Sequence, residues 1–327
     1  MMKYIVGYDG GGTKTHIGIF TLDGTLVYES LGLGSNHAAS DGAMAHSVIE
    51  SLLEAGLKAL KIKRRDIAYI YLGLSGADTP GDYAKIDKMC AAIFKDIPYS
   101  FDNDAWIIMR SGLDKPYGAV AISGTGTNAA AINKQGEKTI LRSLGYTLGI
   151  YGGGLDIARE GLHYAFRADE LTYKETILKS MILKHFSKET MDEVVKLFYP
   201  KQQITKQDYG TITGLVFEAC EQHDEVACEI LRRVGQFIGL QTAGVLKQLA
   251  MEKDNVPVVT GGRVLEKTDT ILYEMFKETL KHECPNIHLV KPAFKPVVGA
   301  FLSALDHLNK KQTKITEQNL LESGCGL

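Results

Sequence analysis

Cysteine is scarce and scattered: the 327 residues hold five, Cys90, Cys220, Cys228, Cys284 and Cys325. None forms a C-x-x-C pair, which argues against a zinc or iron–sulfur site. Isolated thiols in a long chain fit a reducing cytoplasm. No stretch approaches the roughly 18 apolar residues of a membrane span. The apolar N-terminal run is far shorter than a signal-peptide h-region, and no small-residue cleavage site follows it. A cytoplasmic location without membrane contact is therefore expected. An excess of one charge is missing too, since 37 Lys and Arg against 39 Asp and Glu leave a net −2. Nothing here attracts nucleic acid or an anionic membrane, and the basic run Lys61 to Arg65 reads as a solvated helix end.

What is present is a 45% hydrophobic composition, enough for a sizeable core, at a length that suggests about two domains. Within it lies an internal repeat. IVGYDGGGTKTHIGIF (Ile5 to Phe20) aligns with AVAISGTGTNAAAINK (Ala119 to Lys134), placing Gly10, Gly12 and Thr13 on Gly124, Gly126 and Thr127. Each segment is followed by a turn, Asp23-Gly24 or Gln135-Gly136. Both halves thus open as strand, Gly/Thr turn, strand, turn, strand, the mark of a duplication.

Elsewhere strands and helices alternate. Helical spacing covers Ala43 to Leu60, Tyr83 to Phe94, Leu155 to Phe166, patches of Ile177 to Leu197, Glu225 to Met251 and Pro296 to Leu308. Strands are expected at Ile67 to Leu74, Tyr99 to Phe101 and Val256 to Val259. Gly235, Gly239 and Gly244 weaken the longest helix and point to close packing against a neighbour. The polar tail after Asn309 reads as peripheral. This pattern predicts two α/β domains facing each other across a cleft, a preferred place for ligands.

The Gly/Thr turns carry the chemistry. Without a Cβ, backbone amides approach an anion closely; the threonines add donors and Lys14 a cation. A carboxylate beside a phosphate loop, Asp9, makes sense if a magnesium ion lies between them. Asp104 follows a short strand and precedes an apolar stretch. It sits where α/β folds place ligands, although an N-cap role fits the same position. Asn36 and His37 fit a plain loop as well as a contact, and Asp78 reads as a turn or cap residue.

The motifs DGGGTKT, GSNH (Gly34 to His37), GLSGAD (Gly73 to Asp78), NDA (Asn103 to Ala105), ISGTGTN (Ile122 to Asn128) and TGGR (Thr260 to Arg263) occur in that order. Together they resemble the N-acetylglucosamine kinase-like, or BadF/BadG/BcrA/BcrD ATPase, branch of the actin/hexokinase ATPase superfamily. The resemblance implies two ribonuclease H-like (actin-like ATPase) domains with ATP in the cleft between them. Residues 1–114, completed by the C-terminal helix at about 297–327, would form the acceptor side, and 115–296 the nucleotide-binding side. It implies that Asp9 holds Mg²⁺ through water and that Gly11, Gly12, Thr13 and Lys14 line one phosphate loop. Ser123, Gly124, Thr125 and Gly126 would line the other, and Gly261 and Gly262 would lie against adenosine. Asp104 would be the catalytic base, with Asn36, Ser75, Asn103, Thr127, Asn128, Gly145 and Tyr151 as acceptor contacts.

The chain departs from the family in one place. Where relatives carry an acidic pair before a helix opening (G/A)-R-E, Ile150 and Tyr151 stand here, ahead of Ala158-Arg159-Glu160. This bears on the acceptor more than on the chemistry. Gly152 to Gly154 then read as either a hinge or a close-approach turn. The leading expectation is an ATP- and Mg²⁺-dependent kinase of an amino sugar of the N-acetylglucosamine kind, with a homodimer expected from the family alone. The alternatives are an ATPase switch acting on a partner protein and a non-catalytic sugar sensor of the same fold.

Overall fold

In a computed structural model, residues 3–37 and 42–327 are described. The first sheet is built from β1 (Tyr4–Gly10), β2 (Lys14–Thr21), β3 (Leu26–Leu33), β4 (Ile67–Leu74) and β5 (Tyr99–Asp102), in the order β3-β2-β1-β4-β5. The second is built from β6 (Gly118–Ser123), β7 (Thr127–Ile132), β8 (Lys138–Ile140), β9 (Pro257–Gly261) and β10 (His288–Val290), in the order β10-β9-β6-β7-β8. The sheets share one plan: an antiparallel three-stranded opening whose first strand pairs in parallel with a later one. The duplication expected from the Gly/Thr repeat is thus a repeat of topology.

Helices cover the sheets. On the first, α1 (Gly42–Leu60) and α2 (Pro80–Phe94) bury Ile49, Leu53, Ile86 and Phe94 against Val6, Tyr8, Ile17 and Ile70. Then comes α3 (Asp104–Gly112), which touches both sheets. The second sheet is backed by α4 (Gly154–Asp169), α5 (Leu178–Phe186), α6 (Met191–Val195), α7 (Lys206–Glu221), α8 (Glu225–Gln248) and α9 (Ile271–Glu283). The chain then returns: α10 (Pro296–His307) packs Val297, Ala300 and Phe301 onto Ile5, Phe20 and Tyr71 of the first sheet.

Several local expectations change. The polar tail is not peripheral. It forms α11 (Lys314–Glu322), capped at Thr313, and buries Leu320 and Cys325 in the cluster around α10. Capping residues started a helix that hydrophobic spacing alone did not mark. Helices α7 and α9 were likewise missed. Cys220 and Cys228 are not isolated thiols but form a disulfide between α7 and α8. Of the α8 glycines, a Cβ on Gly235 would lie 2.2 Å from the Leu272 carbonyl and one on Gly239 2.9 Å from that of Phe276, whereas Gly244 faces open space. Two of the three thus serve close packing.

Candidate active site

The strands of the first sheet deliver their ends to one edge. Asp9 lies opposite Gly73, and Gly73 opposite Asp102, in the parallel register of β1, β4 and β5. The residues just beyond therefore converge: Gly11 and Gly12, then Ser75 to Asp78, then Asn103 and Asp104. In the second sheet Ile122 pairs with Gly261, so the Gly124 to Gly126 turn and Gly262 emerge together. The first sheet's residues and the Gly124 turn meet across a cavity of about 370 Å³. Eleven expected residues line it: Gly11, Gly12, Asn36, Ser75, Asn103, Asp104, Gly124, Thr125, Gly126, Thr127 and Asn128. Gly76, Asp78, Ile122 and Ser143 line it as well. Asp78, expected as a turn or cap residue, does stand in the turn past the buried strand β4, and from there it lines the cavity.

Gly261 and Gly262 line a neighbouring cavity of about 430 Å³, with Ile108, Ser111, Leu265 and Pro292. Gly262 has φ +87°, and a Cβ there would sit 2.4 Å from the Ser123 carbonyl. Only glycine fits both the conformation and the contact. A Cβ built on Gly124 would lie 3.8 Å from Gly262 Cα, so this glycine pair separates the two cavities. A larger cavity, about 840 Å³, lies between α1 and α2 and is lined by His37, His46 and Asp82. It includes none of the Gly/Thr loop residues.

Other expected residues stand outside the cavity linings. Thr13 and Lys14 are exposed beside the first turn. Ser123 is buried and donates its hydroxyl to the Gly152 carbonyl at 2.6 Å, so it braces the turn. Gly145 has φ +92° and opens a loop that exposes Leu144, Tyr146 and Leu148. Tyr151 is not brought to the cavity. Its ring is buried edge-on to Phe237 at 5.1 Å, and its hydroxyl lies near Glu160 and Arg233 without a well-aligned hydrogen bond to either. Ile150 is buried too. Gly153 settles the choice between hinge and close-approach turn, because a Cβ there would lie 2.5 Å from Gly126 Cα and from the Thr125 carbonyl. It lets α4 begin against the second Gly/Thr turn, where Gly154 N–H donates to Gly124 O (2.7 Å) and Leu155 N–H to Thr125 O (3.1 Å).

Charge at the cavity is one-sided. Burial pushes the Asp104 carboxyl up to about 7, helped by the negative charges of Asp9 and Asp78. Asp104 is the first residue of α3, and a helix N-terminus favours a carboxylate; desolvation outweighs that here. Asp9, near the end of β1 and outside the cavity lining, is likewise raised by burial, to about 6, partly offset by Lys14. Asp78 is raised by burial and by Asp82. Three carboxylates held above their usual range at one edge, beside two glycine turns, fit a magnesium ion held by one or two of them. Such an ion takes one or two protein carboxylates and completes its shell with phosphate and water. Among the described residues no cluster of three His, Cys, Asp or Glu side chains could enclose a metal, so an all-protein cage is not formed.

The model of the BadF/BadG/BcrA/BcrD ATPase family matches residues 6–304. The chain belongs to that family. Among its relatives, an N-acetylmuramic acid/N-acetylglucosamine kinase of Clostridium acetobutylicum is 28% identical over 303 residues, 93% of this chain and 98% of the relative. A glucosamine kinase of Vibrio cholerae is 23% identical over 71% of this chain and 76% of its own length. A solved structure from Chromobacterium violaceum, described as a candidate N-acetylglucosamine kinase, superposes with a TM-score of 0.70 at 20% identity. That superposition spans 92% of this chain and 98% of the other, and it establishes the two-lobed fold.

Proposed function

We propose that this family member is an ATP-dependent kinase transferring the γ-phosphoryl group to a hydroxyl of an amino sugar of the N-acetylglucosamine or N-acetylmuramic acid kind. One observation carries the reading: a single cavity is lined by both duplicated glycine turns and by Asp104, a carboxylate that burial holds above its usual range. General bases work best near their operating pH.

In this reading residues 1–114 with 297–327 form the acceptor side, and 115–296 the nucleotide side. ATP lies with its adenosine against Gly261 and Gly262 and its phosphates between the Gly11-Gly12-Thr13-Lys14 and Ser123 to Gly126 turns. The acceptor sits among Asn36, Ser75, Thr127 and Asn128. Asp104 takes the proton of the acceptor hydroxyl as that oxygen attacks the γ-phosphorus; the bond to the bridging oxygen breaks and ADP leaves. Asp9 would hold Mg²⁺ through water, and the ion would supply positive charge to the phosphates. Closure of the lobes excludes water from the transfer.

The test is ADP release from Mg-ATP with N-acetylglucosamine, N-acetylmuramic acid, glucosamine, glucose or no acceptor. Turnover that requires one of the amino sugars supports the kinase. Turnover indifferent to acceptor, or its absence with all of them, overturns the reading.

Two further results are expected. Because Asp104 must be unprotonated to accept a proton, kcat/KM should fall about tenfold per pH unit below about pH 7 and more steeply below about pH 6, where Asp9 also protonates; a flat profile from pH 5 to 8 would contradict its role. Gly262→Ala places a methyl group against the Ser123 carbonyl. It should raise the ATP KM about tenfold or more while leaving the acceptor KM nearly unchanged. Steady-state kinetics with each substrate varied in turn checks this.

A further inference from the structure

Asp78 is the cavity carboxylate that the mechanism leaves without work. It lies in the turn after β4, while the base starts the helix after β5. Its neighbour is Asn103, which is 2% exposed and caps α3.

An Asn amide has two ends of nearly equal size and opposite hydrogen-bonding sense. Here Oδ1 accepts from the Ala105 backbone N–H at 3.0 Å, which closes the N-cap. Turned over, the amide would set a donor against a donor and leave the cap open. What holds it is on the other side: Asn103 Nδ2 donates to Asp78 Oδ1 at 2.9 Å and, at a longer 3.4 Å, to the Ala77 carbonyl. An ionised carboxylate only accepts, so it imposes the orientation. The Asn103 carbonyl also receives the Trp106 N–H at 3.1 Å. One residue therefore sets both the cap and the first turn in which Asp104 lies.

We propose that Asp78 is a positioning residue for phosphoryl transfer: by holding the Asn103 amide in one orientation it fixes the first turn of α3 and the direction in which Asp104 enters the cavity. This rests on Asp104 being the base, as read above.

The chain supplies its own probe, because Trp106 is the single tryptophan and sits in that same turn, 5% exposed. Asp78→Ala should lower kcat about 100-fold, as expected for a base misplaced by about 1 Å, and move the KM for ATP less than about threefold. Asp78→Asn still offers an oxygen to Nδ2 and should recover to within about tenfold of the parent. Adding Asp78→Ala to Asn103→Ala should cost little more than Asn103→Ala alone, because both act through one bond. Trp106 emission should shift to longer wavelength in Asp78→Ala and return in Asp78→Asn.

Asp78→Ala with unchanged kcat, losses that multiply in the double variant, or unchanged Trp106 emission each overturn the proposal. So does an equal loss in Asp78→Ala and Asp78→Asn with a raised acceptor KM, which would make Asp78 an acceptor contact. Should Asp78→Ala not fold, Asp78→Ser replaces it, polar but too short to reach the amide. If the parent shows no acceptor-dependent turnover, the kinase reading fails, and the Trp106 emission alone then decides whether Asp78 fixes α3.

Discussion

Asp104→Asn should abolish turnover and at the same time stabilise the protein free of nucleotide. The amide keeps the size of the side chain but cannot take the acceptor proton, so kcat should drop by about a thousandfold or more. The stability gain follows from the same burial. In the fold the Asp104 carboxyl is raised to about 7, against about 3.9 in an unfolded chain. A group raised by folding prefers its protonated, neutral form in the native state. Its contribution is full below the unfolded value and is lost as pH climbs through the folded one. The parent should therefore lose stability between about pH 4 and 7, and the variant should escape the part due to Asp104. At pH 8 the variant should be more stable by on the order of 2–4 kcal/mol, and at pH 4 the two should coincide. Urea unfolding at both pH values, without magnesium or nucleotide, measures this. A variant less stable than the parent at pH 8 would mean that Asp104 is not a desolvated carboxylate.

Gly299→Ala should be the most damaging single methyl group in the molecule. A Cβ on Gly299 of α10 would fall 1.8 Å from the Ile107 carbonyl of α3 and 3.1 Å from the Ser111 nitrogen. These neighbours are backbone, so no rotamer change relieves the clash, and the helices must separate. Overpacking a well-packed core typically costs about 1–3 kcal/mol, and a backbone collision belongs at or beyond the top of that range. At about 2–4 °C per kcal/mol for a chain of this size, the melting temperature should fall by roughly 10 °C. The molecules that fold should also turn over slowly, because α3 carries Asp104 at its first residue. Gly244→Ala is the control. It sits in α8 facing open space and should gain about 0.5–1 kcal/mol from helix propensity alone.

The parts of this architecture that a reader of the sequence can find are those where local chemistry and tertiary demand coincide. The Gly/Thr turns, β4 and the C-terminal end of β5 announce themselves because short apolar runs stop at residues suited to ligands. Eleven of the residues expected at the site line one cavity. Tyr151 lies outside the cavity lining because the register of a motif says which residue stands in a position, not which way its ring points; packing against Phe237 decides that. Asp78 stands in a turn, as its residue type suggests, but its partner Asn103 lies 25 residues further on, which no local pattern reveals. The start of α11 is marked locally by the Thr313 cap, but its burial is not, because that rests on the cluster around α10.

The placement of α10 has a consequence for biosynthesis. One face of the first sheet, with Ile5, Phe20 and Tyr71, is sealed by residues from the far end of the chain. On the ribosome that face must wait until the whole second lobe has been made, on the order of ten seconds or more at the usual rate of about 5–20 residues per second. The lobe translated first is thus the last to be completed. Through that interval its open apolar face is a natural client surface for holding chaperones, and a chain cut short before Pro296 leaves it open for good.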